Sequence, residues 1–583
     1  MLSIHPTGVL GDVDFKVQSA ELPETMSHTP PAPPADLAHH FSRASKARRP
    51  NPLKLYYKYL ATPGMCNFSG GLPHTDLFPF DAVDLSVSPP ARFAISTGHD
   101  SCSKPESGSS VHSHIPRSHE RSSNALVQNH HVDWSSALQY GSAQGYPPLY
   151  KRLKTLTQIH HPNIPYHGGA DIMIDAGSAD GLAKVFDLLF NPWDEDLDHV
   201  GNRQGLMVDE FVYGPPLNQV RPKNVNMVPI TMDVEGMLAY GAGSLSATLQ
   251  SWDPARGKRP HVLYTIPTGQ NPTSGVLSFR RRKDIYDICS RFDIVIIEDD
   301  PYWNLYYPSA RSTSMRYRGS APRTTHNYCT ESLQGRSTGY RFLDELIPSF
   351  LSFDQDGRVI RLDSFSKSLA PGCRLGWITA QPAVCEQLFR ITDDTTQQPS
   401  GFTQAIIAQM IGEPCRSGGR AEPVWGVDGW VRWLEGLRST YQRRMVKMAT
   451  VLEENRSLTT RAGTVNMFAF QWPMGGMFLW VEIDISSHHL VSVAGARRLM
   501  RALWLHCTRP PYLIMTVPGE EFAATETVKM DRGFLFLRFC FAAVEEDLLE
   551  AKTRAFTDAC RDFWSITTIE EIDTILLEDE RLV

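Results

Sequence analysis

The sequence predicts an α/β fold in two or more domains, with a sheet covered by helices on both faces. Three observations carry this. Short apolar strands alternate with segments of helical period over most of the chain. The stretch from His261 to Asp300 holds a complete strand, turn, helix and strand. And 583 residues are more than one hydrophobic core usually organises.

In that unit, His261 to Pro267 is strand-like and Thr268 to Thr273 is a turn rich in Gly, Asn and Pro. Ile285, Ile288, Cys289 and Phe292 then recur at helical spacing. Asp293 to Ile297 is a buried strand that closes on Glu298, Asp299 and Asp300. Ligands of such sheets sit beyond the carboxyl ends of the strands, so residues closing each strand are the first candidates for chemistry.

An apolar fraction of 42% and a charged fraction of 21% are ordinary for a globular protein. The net charge of -7 disfavours nucleic acid or an anionic membrane as the main partner and favours a small molecule. Ten cysteines are scattered without a C-x-x-C pair or a histidine cluster at zinc spacing. A reduced, cytoplasmic setting and no metal site are therefore expected. No apolar run is long enough to span a bilayer, and Asp12, Asp14 and Glu21 sit where a leader would avoid acids.

Residues 1–49 combine a Pro-rich patch at Pro30 to Pro34 with the basic run Ser45 to Arg49, and read as a disordered or extended tail. Ser101 to His131 is dominated by Ser and His and is expected to be a surface insertion, its histidines solvated. Pro308 to Tyr340 is expected to be a second insertion.

The strongest chemical signal is Asp363-Ser-Phe-Ser-Lys367 followed by Pro371-Gly-Cys-Arg374-Leu-Gly-Trp377, after the strand Arg358 to Leu362. A lysine beside two hydroxyls, with an arginine seven residues on, can close around a phosphate while the amine holds an aldehyde. A surface turn with an ordinary lysine would explain S-x-S-K alone. It must also explain Glu298-Asp-Asp-Pro-Tyr-Trp303, Pro267-Thr-Gly-Gln-Asn-Pro-Thr273 and Asp175-Ala-Gly-Ser-Ala-Asp-Gly181.

The last of these leads into a helix with Leu182, Val185, Phe186, Leu189 and Phe190 on one face. Ser178 and the amides of Ala179 and Asp180 would face an anion from its N-terminus. In Gly533-Phe-Leu-Phe-Leu-Arg538-Phe-Cys-Phe541, a strand apolar on both faces, Arg538 needs an anion. A substrate carboxylate and a distant Asp or Glu are the two options.

Together these motifs resemble the class I and II aminotransferases, from about Pro50 to the C-terminus apart from the two insertions. The resemblance implies the pyridoxal 5'-phosphate-dependent transferase fold of type I. In that fold a large domain has a mainly parallel seven-stranded sheet between helices, and a smaller α+β domain is C-terminal. The expected division is 50–139 as arm and substrate-side segment, 140–400 as the large domain and 401–583 as the small one.

By the same resemblance Lys367 carries the cofactor covalently, and Ser364, Ser366 and Arg374 bind its phosphate together with Ser178 and the backbone of Ala179. Asp299 matches the acid against the ring nitrogen, with Asp300 as the rival assignment. Tyr302 and Asn271 match donors to the ring hydroxyl, Asn271 also facing the substrate carboxylate, and Arg538 matches the carboxylate fork. Tyr213 matches an aromatic residue stacked on the ring, with a core tyrosine as the plainer alternative. Gly71, in Ser69-Gly-Gly-Leu-Pro73, matches the substrate side. Tyr140 matches a tyrosine that reaches the phosphate and substrate of a neighbouring subunit, which implies a homodimer with shared sites. Pro473 to Trp480 resembles a P-x-G-G-x-F-x-W stretch of the small domain.

The wording of Leu346 to Leu351, Asp356 to Asp363 and Arg48 to Pro52 is most similar to fungal aromatic aminotransferases and to their aminoadipate and kynurenine relatives. The implied reaction moves an amino group from an aromatic L-amino acid to a 2-oxo acid such as 2-oxoglutarate, by ping-pong kinetics. A role in secondary metabolism, a decarboxylase or lyase of the same fold, and a regulator built on a non-catalytic domain are the alternatives.

Overall fold

The structure, a computed structural model, describes residues 31–52, 56, 59, 62, 65, 68, 71–95, 110–117, 132–162, 164–308, 310–318, 337–412, 416–417, 420–421, 425–460 and 463–580. Residues 1–30 of the expected tail, Ser69 and Gly70, and most of both expected insertions lie outside the described residues.

The end of the expected tail is docked rather than extended. Helix α1 (Arg43–Ala47) begins at Ser42, whose hydroxyl accepts from the Ser45 N–H at 3.1 Å. Leu37 and Phe41 are buried in the main core, and the Ser42 N–H donates to the Leu188 carbonyl at 2.6 Å. Two apolar anchors are too few to form a period, which is why composition alone reads the segment as a tail.

The Ser/His-rich insertion also carries structure. Strands β1 (Ala82–Val87) and β2 (Val111–Pro116) form an antiparallel hairpin, with Ala82 opposite Pro116 and Val87 opposite Val111. Val111, Ser113 and Ile115 alternate with His112 and His114, and Ile115 is fully buried. The two-residue period is present but masked by polar composition.

The large sheet has seven strands: β3 (Asp171–Asp175), β4 (Gly205–Asp209), β5 (Asn226–Ile230), β6 (Val262–Thr265), β7 (Val295–Asp299), β8 (Val359–Ser364) and β9 (Gly376–Ala380). Their spatial order is β3-β9-β8-β7-β6-β4-β5. Only β9 runs against its neighbours, so the sheet is mainly parallel, as the resemblance implies. Residues of β4, β6 and β7 are buried throughout, as strands covered on both faces should be.

Helix α2 (Ser178–Leu189) follows β3, and α3 (Phe279–Arg291), capped by the Ser278 hydroxyl, joins β6 to β7. Within the second expected insertion, α4 (Ala310–Arg318) is helical, and Arg318 donates to Glu453 at 3.0 Å and to the Phe470 carbonyl at 2.9 Å.

Helix α5 (Gly401–Ile411) contributes Ala405, Ile407 and Ala408 to the same apolar cluster as Ile172 and Ile174 of β3. The chain therefore stays with the large sheet beyond the expected boundary at residue 400. The passage to the small domain is α6 (Gly426–Asn455), whose 30 residues span roughly 45 Å. Its first half, with Trp430 and Leu434, joins the core beside β3; its second half, with Met445 and Leu452, joins the core shared with the small domain. There β10 (Phe468–Phe470), β11 (Phe478–Ile483), β12 (Val517–Pro518) and β13 (Phe536–Cys540) form an antiparallel sheet in the order β10-β11-β13-β12.

Candidate active site

The carboxyl ends of β6, β7 and β8 open toward β13 of the small sheet, and the candidate residues collect there. Asp299 ends β7 and is buried. Its Oδ2 accepts from the Tyr264 hydroxyl of β6 at 2.7 Å, and its Oδ1 is buried with no partner. Burial pushes its pKa up to about 6, and the Tyr264 hydrogen bond works against that rise. An acceptor held by one donor, with its other oxygen unpaired in a dry site, fits a protonated ring nitrogen.

Asp300 is built into something else. Its Oδ2 lies 3.3 Å from Nη1 of Arg361 and accepts from the Thr268 hydroxyl at 3.2 Å. Arg361, itself fully buried, also meets Glu298 at 3.1 Å and Asp363 at 2.9 Å. Asp300 thus belongs to an ion cluster behind the cleft.

Asn271 is buried in the turn after β6, and the peptide bond it makes with Pro272 is cis. Its Oδ1 accepts from Nη1 of Arg538 at 2.7 Å, which leaves its NH2 group for another acceptor. Arg538, on β13, has a buried Nε without a partner and no acidic partner among the described residues. Burial lowers its pKa. Tyr302 is buried and sets its ring edge against Phe478, with centroids 6.0 Å apart. Tyr213 is 40% exposed, so it is not a core tyrosine. Burial raises the hydroxyl pKa of both tyrosines, and the charges of Asp299 and Arg538 act on both, which places all four in one cleft.

The other end of the cleft is a polar cradle. Ser364, Gly376 and Asp175 stand in register across β8, β9 and β3. The Ser364 hydroxyl donates to that of Ser366 at 2.9 Å and accepts from the Ser366 N–H at 3.1 Å. Lys367 is half-buried in the turn just beyond. Gly177 has φ of 98°, and a Cβ there would meet Nη2 of Arg374 at 2.7 Å. The guanidinium is thereby set against the N-terminus of α2, which no side chain caps. The Asp180 amide does not face an anion as expected: it donates to the Gly177 carbonyl at 2.8 Å. Ser178 stands at the helix start, with Ala179 exposed beside it.

Two expected residues stand apart from this cluster. Gly71 is exposed with open space around it, and Tyr140 is 56% exposed, its N–H on the side-chain oxygen of Gln139. Three residues that sequence reading missed are part of the site: Tyr264, Phe478 and Phe522. The signal for Tyr264 was available, since a hydroxyl in a strand buried on both faces must find a partner. For Phe522 there was none, because its loop reaches Arg538 only through tertiary pairing.

This fold and this cleft define a pyridoxal-phosphate enzyme of fold type I. The family model for aminotransferase class I and II matches residues 205–556. An L-tyrosine:2-oxoglutarate aminotransferase of Serpula lacrymans is 35% identical over 460 residues, 78% of this chain and 76% of that protein. An aromatic amino acid aminotransferase of Schizosaccharomyces pombe is 30% identical over 537 residues, 91% of this chain and 97% of that protein. The crystal structure of aminotransferase Aro8 from Candida albicans superposes with a TM-score of 0.72 at 30% identity, covering 92% of this chain and 100% of that one. The chain belongs to the class I and II aminotransferases, and its cofactor is pyridoxal phosphate. No helix among the described residues is long and apolar enough to cross a membrane.

Proposed function

We propose that the enzyme transfers the amino group of an aromatic L-amino acid to 2-oxoglutarate by a ping-pong mechanism. The observation that carries this reading is Arg538: a half-buried guanidinium whose buried Nε has no partner, walled by Phe478 and Phe522, in the same cleft as Asp299. A substrate carboxylate satisfies it, and the phenyl walls suit an aromatic side chain. Both substrates of the reaction carry such a carboxylate and would use the site in turn.

The remaining roles follow from position. Ser178, the Ala179 backbone, Ser364, Ser366 and Arg374 hold the phosphate. Asp299 would face the ring nitrogen through its unpaired Oδ1, Tyr302 and the NH2 of Asn271 would donate to the ring hydroxyl, and Tyr213 would stack on the ring. The chemistry supplied by bound pyridoxal phosphate is an electron sink for the substrate α-carbon. Lys367 would hold the cofactor at rest, and its Nζ, when free, is the base that would take the substrate α-proton and the acid that would give it back. Asp299 keeps the ring nitrogen protonated throughout.

In this reading the exposed Tyr140 completes the site of a second copy, so the working enzyme is a homodimer, and Gly71 lies on the substrate side. A cytoplasmic location is supported by the free thiols of Cys289, Cys373, Cys385, Cys507, Cys540 and Cys560.

The test is a donor panel at fixed 2-oxoglutarate. Tyrosine, phenylalanine and tryptophan should give the highest kcat/KM; a clear preference for 2-aminoadipate would sink the aromatic assignment.

A further inference from the structure

Arg538 packs against two phenyl rings, its Cζ 4.5 Å from the ring centroid of Phe478 and 4.6 Å from that of Phe522. The two rings have different origins. Phe478 opens β11 and pairs with Cys540 of β13, so it belongs to the same small sheet as Arg538. Phe522 comes from the short turn Gly519–Phe522 that follows β12.

That turn is braced from both sides. Toward the small sheet, a Cβ at Gly519 would lie 2.6 Å from Cβ of Phe536 and 2.9 Å from the ring of Trp480, so only glycine allows the turn to seat so deeply. Phe522 meets the Trp480 ring edge-on at 5.9 Å. Toward the large domain, the Val212 N–H donates to the Phe522 carbonyl at 2.8 Å, and the Ala524 N–H donates to the Glu210 carbonyl at 3.0 Å. Phe211 and Ala523 form an antiparallel bridge between them. Gln270, next to Asn271, donates to the Phe211 carbonyl at 2.6 Å and accepts from the Thr273 N–H at 2.9 Å. One small piece of sheet therefore links the turn carrying Phe522, the loop leading into Tyr213 and the turn carrying Asn271.

We propose that Phe522 is a positioning residue for Arg538, delivered by this interdomain strand pairing. A free arginine side chain has several rotors to freeze before it can present a fork. Here the guanidinium is held against two phenyl rings and by Asn271 Oδ1 at one Nη, leaving Nε unpaired. The carboxylate meets a donor set whose ordering cost is already met in the folded protein. Phe478 is held by the sheet itself, so Phe522 is the half of the clamp that depends on the two domains being paired.

This inference rests on Arg538 being the carboxylate site, and the experiment separates the two ideas. Holoenzyme and the variants Phe522→Leu, Phe522→Trp, Arg538→Ala and Arg538→Ala/Phe522→Leu are titrated, by cofactor absorbance, with 3-phenylpropanoate and with 2-phenylethylamine. The first probe has the carboxylate and no amine, the second the reverse. Phe522→Leu should weaken 3-phenylpropanoate roughly three- to thirty-fold, the range of one lost cation–π face, and raise the KM of both substrates more than it lowers kcat. It should leave 2-phenylethylamine unchanged, Phe522→Trp should retain affinity, and in the Arg538→Ala background the leucine should add nothing. Equal weakening of both probes would make Phe522 a wall of the pocket and overturn the proposal, as would no weakening of either. If Arg538→Ala itself leaves 3-phenylpropanoate affinity intact, the carboxylate reading falls and takes this one with it.

Discussion

The hydroxyl of Tyr264 donates to Oδ2 of Asp299 at 2.7 Å, and the other oxygen of that carboxylate has no partner. One donor thus orients the acid and helps keep it ionised against burial, which pushes its pKa up. Tyr264→Phe should raise the Asp299 pKa further and weaken its hold on a protonated ring nitrogen. Losing a hydrogen bond to a charged group is worth about 1.5–3 kcal/mol, so kcat should fall by about tenfold or more with KM little changed. A pH titration of the cofactor absorbance, shifted from that of the wild type, would accompany the loss. An unshifted titration with normal kcat would show that Asp299 needs no such support.

Asp299 and its neighbour Asp300 should separate cleanly in mutants. Asp299→Asn should abolish turnover while leaving thermal stability near the wild type, since the amide oxygen can still accept from the Tyr264 hydroxyl. Asp300→Asn should act on stability instead, because Arg361 at 3.3 Å loses part of its buried counter-charge. Because Glu298 and Asp363 still face Arg361, the expected cost is about 1–3 kcal/mol, read as a lowered denaturant midpoint. The reverse pattern would restore Asp300 as the acid facing the ring.

The cradle at the start of α2 depends on the absence of a side chain at position 177. With φ of 98° and Nη2 of Arg374 only 2.7 Å from where a Cβ would stand, Gly177→Ala must strain the turn or displace the arginine. The cofactor should dissociate at least about tenfold more readily, from one weakened charge-assisted contact. Equilibrium dialysis against pyridoxal phosphate reads this directly, and undiminished retention would detach Arg374 from the phosphate.

Asp175 is buried beneath the same turn, its Oδ1 accepting from the Gly177 N–H at 2.8 Å and its Oδ2 unpaired. Burial, reinforced by Asp180, pushes its pKa up to about 8. A carboxyl with a raised folded pKa holds a proton that the unfolded chain has already released. Stability therefore falls as pH rises from the unfolded value toward 8, and the loss is complete only above it. The buried histidines His160, His161 and His261 have lowered pKa values, so their unfavourable contribution appears below about pH 6.5 and is flat above it. Between pH 7 and 8 the apo-protein should lose melting temperature, and Asp175→Asn should flatten that slope. An unchanged slope would assign the proton elsewhere.

Much of this architecture is legible in the sequence, for a physical reason. Strands buried on both faces must be apolar along their length, so Val295–Asp299 and its neighbours stand out, and the polar residues that close them stand out against them. Asp299 closes one such strand and Lys367 follows another, while Arg538 is the one charged residue in the middle of an otherwise apolar strand. What was not legible depends on distant partners. Nothing near Phe522 in the chain reports that its carbonyl will meet Val212, or that its ring will lie on Arg538. The docking of Leu37 and Phe41 and the β1–β2 hairpin were hidden for a related reason: short elements with few apolar residues owe their order to the surface they meet.

The central claim is that Lys367 carries the cofactor and that the cleft around it transfers amino groups. The most direct test is the absorbance spectrum of the purified holoenzyme, recorded first alone, then after L-tyrosine, then after 2-oxoglutarate, for the wild type and for Lys367→Ala. The wild-type band should convert to the amino form of the cofactor with tyrosine and return with 2-oxoglutarate, and the alanine variant should be folded but show no covalently bound cofactor. A wild-type band that never converts, or a covalent band retained in Lys367→Ala, would contradict it.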